Sequence, residues 1–102
     1  MCIDFYFTLN CEDTSIGEEG YHMYVDEYVK VEATHNTGAF YSTRSILQIL
    51  KQNGETIQKG IVRDFPRYEN RGFMLDVGRK FFTMDYLEQF MEAMSWYKLN
   101  NF

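Results

Sequence analysis

Proline and glycine are scarce, and with one Pro and seven Gly in 102 residues the chain has no room for a flexible linker or a low-complexity tail, both of which draw heavily on these residues. Cysteine is scarcer still. Cys2 and Cys11 stand nine positions apart, with no CxxC and no Cys/His cluster, so they read as two ordinary thiols and not as a zinc site. Long apolar runs are missing as well: Ile46 to Leu50 and Gly72 to Leu75 fall far short of the ~20 residues that a membrane helix needs. Met1 is followed by Cys2, Ile3 and Asp4, without the basic start, apolar centre and small-residue site of a secretory signal. The sequence leaves the compartment open between cytoplasmic and secreted. Fifteen acidic residues against ten basic ones give a net charge of −5. The basic residues are scattered, which argues against a nucleic acid partner.

Aromatic residues are abundant. Nine Phe, eight Tyr and one Trp make up 18% of the chain, within a hydrophobic share of 45%, far above what a disordered segment carries. From Cys2 to Leu9, Ile3, Phe5, Phe7 and Leu9 alternate with Asp4, Tyr6 and Thr8, the period-two pattern of a half-buried strand. Asn10 to Gly20 is polar and reads as a loop. Two β-prone runs, Tyr21 to Val25 and Tyr28 to Ala33, flank Asp26-Glu27 and suggest a hairpin. Since Asp-Glu is not a favoured two-residue turn, the loop is open to being longer.

After Thr34 to Gly38 the period changes. Phe40, Thr43, Ile46, Leu47 and Leu50 share one side of a helix of about 12 to 14 residues, which Asn53-Gly54 stops. Lys59 to Phe65 is extended, and Pro66 holds Phe65 in extended geometry. Gly72 to Val77 is apolar apart from Asp76, as in a strand covered on both sides. Thr83 is a credible N-cap, Asp85 suits the positive helix start, and Leu87, Phe90, Met91, Met94 and Tyr97 form one stripe. Strand, helix and the start of a strand make the βαβ rhythm of a parallel sheet. The N-terminal part follows a different rhythm, so two units are expected, joined near Pro66 to Asn70.

At Arg71-Gly72, Met74-Leu75-Asp76, Arg79 with Phe81-Phe82, and Tyr97-Lys98-Leu99-Asn100, the sequence resembles glycoside hydrolase family 20, the β-N-acetylhexosaminidases and lacto-N-biosidases. Upstream, "EEGYHMYV", "VKVEA", "TGAFYSTRSILQIL" and "GIVRDFPRYENRG" resemble, in the same order, the domain that precedes that family's catalytic barrel. The resemblance covers about Glu18 to Phe102. Gly78 and Lys80 stand where the family commonly has Ser and His, so no role tied to that His carries over.

The resemblance implies an α+β fold. Residues 1–66 would form a mixed or antiparallel sheet with helices on one face, and residues 67–102 the first strand and helix of a (β/α)₈ barrel. Such a barrel needs ~250 residues, and only about 32 follow Asn70, so the chain reads as the N-terminal portion of a longer hydrolase. The parent would remove terminal β-linked N-acetylhexosamine from glycans by substrate assistance, the sugar's own 2-acetamido oxygen attacking the anomeric carbon. An Asp-Glu pair on the fourth barrel strand would do the protein's share, with Glu as general acid and Asp orienting the acetamido group. That pair would lie well beyond Phe102, so this chain by itself is expected to have no catalytic residue and no activity. No cofactor and no metal is implied.

By resemblance Arg71 matches the arginine that hydrogen-bonds hydroxyls of the terminal sugar, a task suited to a rigid fork of donors. From spacing alone it would be a surface Arg beside a strand. Asp26-Glu27, Glu12-Asp13 and Glu18-Glu19 read as solvated turn carboxylates, which lack the burial that general-acid work requires. Asp76, within an apolar strand, needs a partner, and Arg79 or Lys80 is at hand. His22 and His35 read as satisfied histidines, and Trp96 as a packing residue. The competing reading is a non-catalytic structural or interaction domain. Either way, Met74, Val77, Leu87, Phe90 and Met94 would leave an apolar patch that favours a homo-oligomer.

Overall fold

A computed structural model describes residues 3–102; Cys2, placed above in the first strand, lies outside the described residues. The order of elements is β1 (Phe5–Thr8), a 3₁₀ turn (Thr14–Ile16), β2 (Tyr21–Val25), β3 (Val29–Ala33), α1 (Asn36–Gln52), β4 (Gly60–Asp64) and α2 (Met84–Trp96). The architecture is α+β, a four-stranded mixed sheet with two helices. The chain divides into two compact units, residues 1–67 and 68–102.

In the first unit the strands run in the order β1-β3-β2-β4. β1 lies parallel to β3, while β2 is antiparallel to both β3 and β4. The alternation in β2 and β3 sorts side chains as expected: Tyr21, Met23, Val25, Val29, Val31 and Ala33 face inward and are buried. The hairpin loop is longer than two residues, spanning Asp26 to Tyr28 and closed by the Asp26 N–H donating to the Tyr28 carbonyl at 3.0 Å.

The half-buried character expected of β1 is not found. Phe5, Tyr6 and Phe7 are exposed, because β1 is an edge strand and α1 packs over β2 and β3. The loop before β2 is more structured than its polar composition suggests. Its 3₁₀ turn is capped by the Asp13 carboxylate, which accepts from the Ser15 N–H, and it buries Ile16.

Helix α1 has 17 residues and begins at Asn36, ahead of the point where the apolar period starts. Asn36, Thr37 and Gly38 are poor helix formers, but close packing holds the first turn down. A Cβ on Gly38 would come within 2.1 Å of the Gly20 carbonyl oxygen. The buried side is also rotated from the expected one: Gly38, Tyr41, Ser42 and Ile46 are inward, whereas Phe40 and Leu47 are exposed. Small residues let helix and sheet approach, and an apolar count misses them. The stop at Asn53-Gly54 is as expected, with Gly54 at φ +64° and the Glu55 N–H donating back to the Leu50 carbonyl, the pattern of a Schellman cap.

In the second unit Thr83 caps α2, its hydroxyl accepting from the Tyr86 N–H, with Asp85 in the first turn. Met94 is buried, Leu87 and Phe90 are half-buried, and Met91 and Tyr97 are exposed. The run Gly72 to Val77 is not a strand covered on two sides. It makes a single parallel bridge, Gly72 to Asn101, and Met74 is 89% exposed. A ladder grows only where a neighbouring backbone offers further partners, and among the described residues this run finds one.

Candidate functional site

Arg71 sits where the chain enters the bridge, and it is half-buried. Its Nε donates to the Lys98 carbonyl at 2.8 Å and its Nη1 to the Tyr68 carbonyl at 2.7 Å. Its own N–H donates to Asn100 Oδ1 at 2.9 Å, and its carbonyl accepts from the N–H groups of Asn100 and Asn101. Asn100 completes the knot by donating through Nδ2 to the Glu69 carbonyl. The guanidinium plane is therefore fixed by two main-chain oxygens, and Arg71 ties residues 68–73 to residues 98–101. The neighbouring glycine serves the same junction, since a Cβ on Gly72 would press within 2.9 Å of the Asn101 backbone oxygen.

The end of α2 supplies the other half of this arrangement. Lys98 adopts φ +58°, and the Leu99 N–H donates to the Met94 carbonyl while Lys98 N–H donates to that of Ser95. This is a Schellman cap with lysine in the left-handed position where glycine is usual. The reversal turns the Lys98 carbonyl into the acceptor that Arg71 uses.

Asp76 departs from expectation in one respect. Arg79 is its partner, at 3.6 Å, but the pair lies on the surface, with the arginine side chain 93% exposed. The second oxygen of Asp76 accepts from the Gly78 N–H at 2.8 Å. Because the apolar run is not a covered strand, its carboxylate is not buried, and the contact closes a turn.

Asp26 and Glu27 lie exposed at the hairpin tip, where Asp26 pairs with Lys59 at 3.2 Å. They border a cavity of about 600 Å³ whose other walls include Ile3, Val25, Glu55 and Ile57. Neither carboxyl has the apolar enclosure that would make it a general acid. His35 touches the Thr34 hydroxyl at 3.0 Å and lies 3.9 Å from Glu18, while Trp96 is half-buried at the end of α2. Cys11 is a free thiol. Among the described residues no cluster of His, Cys, Asp or Glu is arranged to hold a metal ion, and no helix is long and apolar enough to cross a membrane.

The polar centre that the sequence concealed is Asp13. Far from being a solvated turn residue, it accepts from Arg63 Nε at 2.8 Å, lies 2.9 Å from His22 Nε2, and also holds the Ser15 hydroxyl. The hydrogen bond from Arg63, followed by those from Ser15 and His22, holds the Asp13 carboxyl well below the usual carboxylate range. Serine and histidine sit on opposite oxygens of the carboxylate, so the histidine does not contact the hydroxyl, which instead accepts from Arg63 Nη2 at 2.7 Å, and the group lacks a serine–histidine nucleophile geometry. A second concealed cluster joins the Tyr21 hydroxyl to Ser45 and to Asp64, the latter at 2.9 Å, and links β2, α1 and β4. Apart from Asp13 and Ser15, two positions apart, the partners stand 9 to 50 positions from one another and give no local signal.

The profile of glycosyl hydrolase family 20, domain 2, matches residues 3–65, and that of the glycosyl hydrolase family 20 catalytic domain matches residues 68–102. The chain belongs to glycosyl hydrolase family 20. The β-N-acetylhexosaminidase of Cellulomonas fimi is 34% identical over 93 residues, spanning 87% of this chain and 19% of that protein. The solved family 20 β-N-acetylhexosaminidase of Streptomyces coelicolor superposes with a TM-score of 0.84 at 28% identity, covering 94% of this chain and 21% of its own. The family 20 exo-β-N-acetylglucosaminidase of Vibrio harveyi, solved with N-acetylglucosamine, gives a TM-score of 0.80 at 27% identity, over 95% of this chain and 16% of its own. The chain thus spans about a fifth or less of the length of these family 20 relatives.

Proposed function

We propose that this chain is the N-terminal portion of a family 20 β-N-acetylhexosaminidase, with residues 1–66 as its α+β domain and residues 67–102 as the first β-α unit of its catalytic barrel. The observation that carries this reading is the order of the two family matches, domain 2 followed at once by the catalytic domain. The parallel bridge between Gly72 and Asn101, on either side of α2, supports a barrel origin, since barrel strands are parallel and joined by helices.

In this reading the parent hydrolyses terminal β-linked N-acetylhexosamine with help from the sugar's own acetamido oxygen, and the acid pair that completes the chemistry comes from a later strand. Arg71 binds sugar hydroxyls. A guanidinium already oriented by two carbonyls loses little freedom on meeting a ligand, which favours a directional contact. The present chain alone should leave a chromogenic N-acetylglucosaminide intact, whereas the longer enzyme should turn it over. A charge-assisted hydrogen bond is worth about 1.5–3 kcal/mol, so Arg71→Ala in the longer enzyme should lower kcat/KM by roughly 10- to 150-fold. Turnover by the 102-residue chain that disappears with Arg71→Ala would refute the assignment.

A non-catalytic interaction module is the second reading, favoured by the exposure of Met74 at 89% and Phe81 at 84%. Apolar surface of this kind attracts a partner. Concentration-dependent dimers or larger species in light scattering would support it, and a monomer throughout would remove it.

A further inference from the structure

We infer that the face of the sheet opposite α1 is a binding platform for a neutral oligosaccharide. Strand register aligns Tyr6, Lys30, Tyr24 and Ile61 in one row across all four strands, and each belongs to the alternate set to the buried core residues. Tyr6 and Tyr24 stand two strands apart, which places them ~10 Å from one another at the usual strand spacing. Tyr28, in the hairpin loop, meets Tyr6 edge-on with ring centroids 5.4 Å apart. Tyr24, Tyr28, Asp26, Lys30 and Glu32 line a hollow of about 270 Å³.

The charges decide what kind of ligand this face suits. Lys30 pairs with Glu32 at 3.1 Å, and Asp26 pairs with Lys59 at 3.2 Å. The lining of the hollow therefore holds no uncompensated cation for a phosphate and no uncompensated anion for a basic peptide. What it offers is aromatic surface, with Tyr6 54% and Tyr28 47% exposed, beside carboxylate oxygens and an ammonium group that can hydrogen-bond hydroxyls. A pyranose ring presents that combination, an apolar C–H face against an aromatic ring and hydroxyls at its rim. The rings of Tyr6 and Tyr28 keep apolar surface in water, and a stacked sugar removes it from water.

The choice of an N-acetylglucosamine oligomer as probe rests on the hydrolase reading; the platform itself does not. Titrating a β-1,4-linked N-acetylglucosamine tetramer into the full chain should shift the NMR signals of Tyr6, Tyr24, Tyr28 and Lys30 and saturate at millimolar concentration. Tyr28→Ala, in the hairpin loop at a residue 47% exposed, should weaken binding about tenfold, as should Tyr24→Ala, while Tyr24→Phe keeps the stacking surface and most of the affinity. Preserved signal dispersion would verify that each variant is folded. No shifts, shifts confined to residues 68–102, or affinity indifferent to both alanine substitutions would overturn the inference. So would line broadening from self-association that the sugar fails to reverse. Turnover by the longer enzyme is read in a separate assay, so the platform and the hydrolase reading can fail independently.

Discussion

Asp13 shows how a residue's chemistry depends on where the fold brings its neighbours. Arg63, Ser15 and His22 converge on its carboxylate, and the hydrogen bond from Arg63 is the main reason its ionisation is displaced downward. A carboxyl depressed in the folded state stabilises the fold fully above its unfolded pKa of about 3.9, and that contribution fades as pH falls from there towards the folded value. Urea midpoints measured from neutral pH down into this range should therefore separate wild type from Asp13→Asn at neutral pH and bring them together in acid. A gap that stays constant across the titration would show that the ionised carboxylate is not what the network uses. Arg71 is the converse case, because its place beside Gly72 and ahead of an apolar run was readable, whereas its commitment to the carbonyls of Tyr68 and Lys98 was not. The contact to the Lys98 carbonyl, 27 positions away, leaves no trace in spacing, and the one to Tyr68, three positions back, is made by a main-chain oxygen that residue types do not reveal.

Among the elements, the hairpin strands and α2 were legible, the first through alternation and the second through capping: Val29, Val31 and Ala33 point one way, and Thr83 with Asp85 opens the helix. β1 and α1 were misread for opposite reasons. β1 has a strand's pattern but occupies an edge, so its alternation does not translate into burial. α1 takes part of its inward side from Gly38 and Ser42, small residues that allow close approach and that an apolar count passes over. The Gly38 contact is the strictest of these, since an added methyl would meet the Gly20 carbonyl at 2.1 Å, and backbone on both sides leaves little to yield. Gly38→Ala should therefore cost about 1–3 kcal/mol, seen as a lower urea midpoint by circular dichroism, despite alanine's better helix propensity. The cap of α2 predicts the reverse sign. Lys98 holds a left-handed conformation worth about 1–2 kcal/mol of strain for a residue with a Cβ, partly offset in Lys98→Gly by the greater freedom of unfolded glycine. Amide exchange across Met84–Trp96 should slow in that variant, and unchanged or faster exchange would mean that the lysine side chain contributes more than the strain removes.

At the scale of the molecule, the two compact units differ in what sustains them. Residues 1–67 enclose a sheet-and-helix core of buried Tyr21, Met23, Val29, Val31 and Ile46. Residues 68–102 have one helix, one bridge and a ring cluster of Phe73, Phe90 and Phe102, a length below the ~40 residues at which domains without staples usually hold together alone. The incomplete second unit was legible in the sequence, since about 32 residues after Asn70 are too few for a closed barrel; how its stripe packs was not, because an apolar stripe reads the same whether or not other elements cover it. The imbalance has a direct spectroscopic consequence, since the single tryptophan, Trp96, lies in the second unit, whereas most of the sheet signal in circular dichroism comes from the first. In urea the Trp96 fluorescence transition should precede the circular dichroism transition, with amides of residues 84–96 exchanging before those of β2 and β3. Transitions that coincide would show that residues 68–102 draw their stability from the sheet domain and unfold with it as one cooperative body.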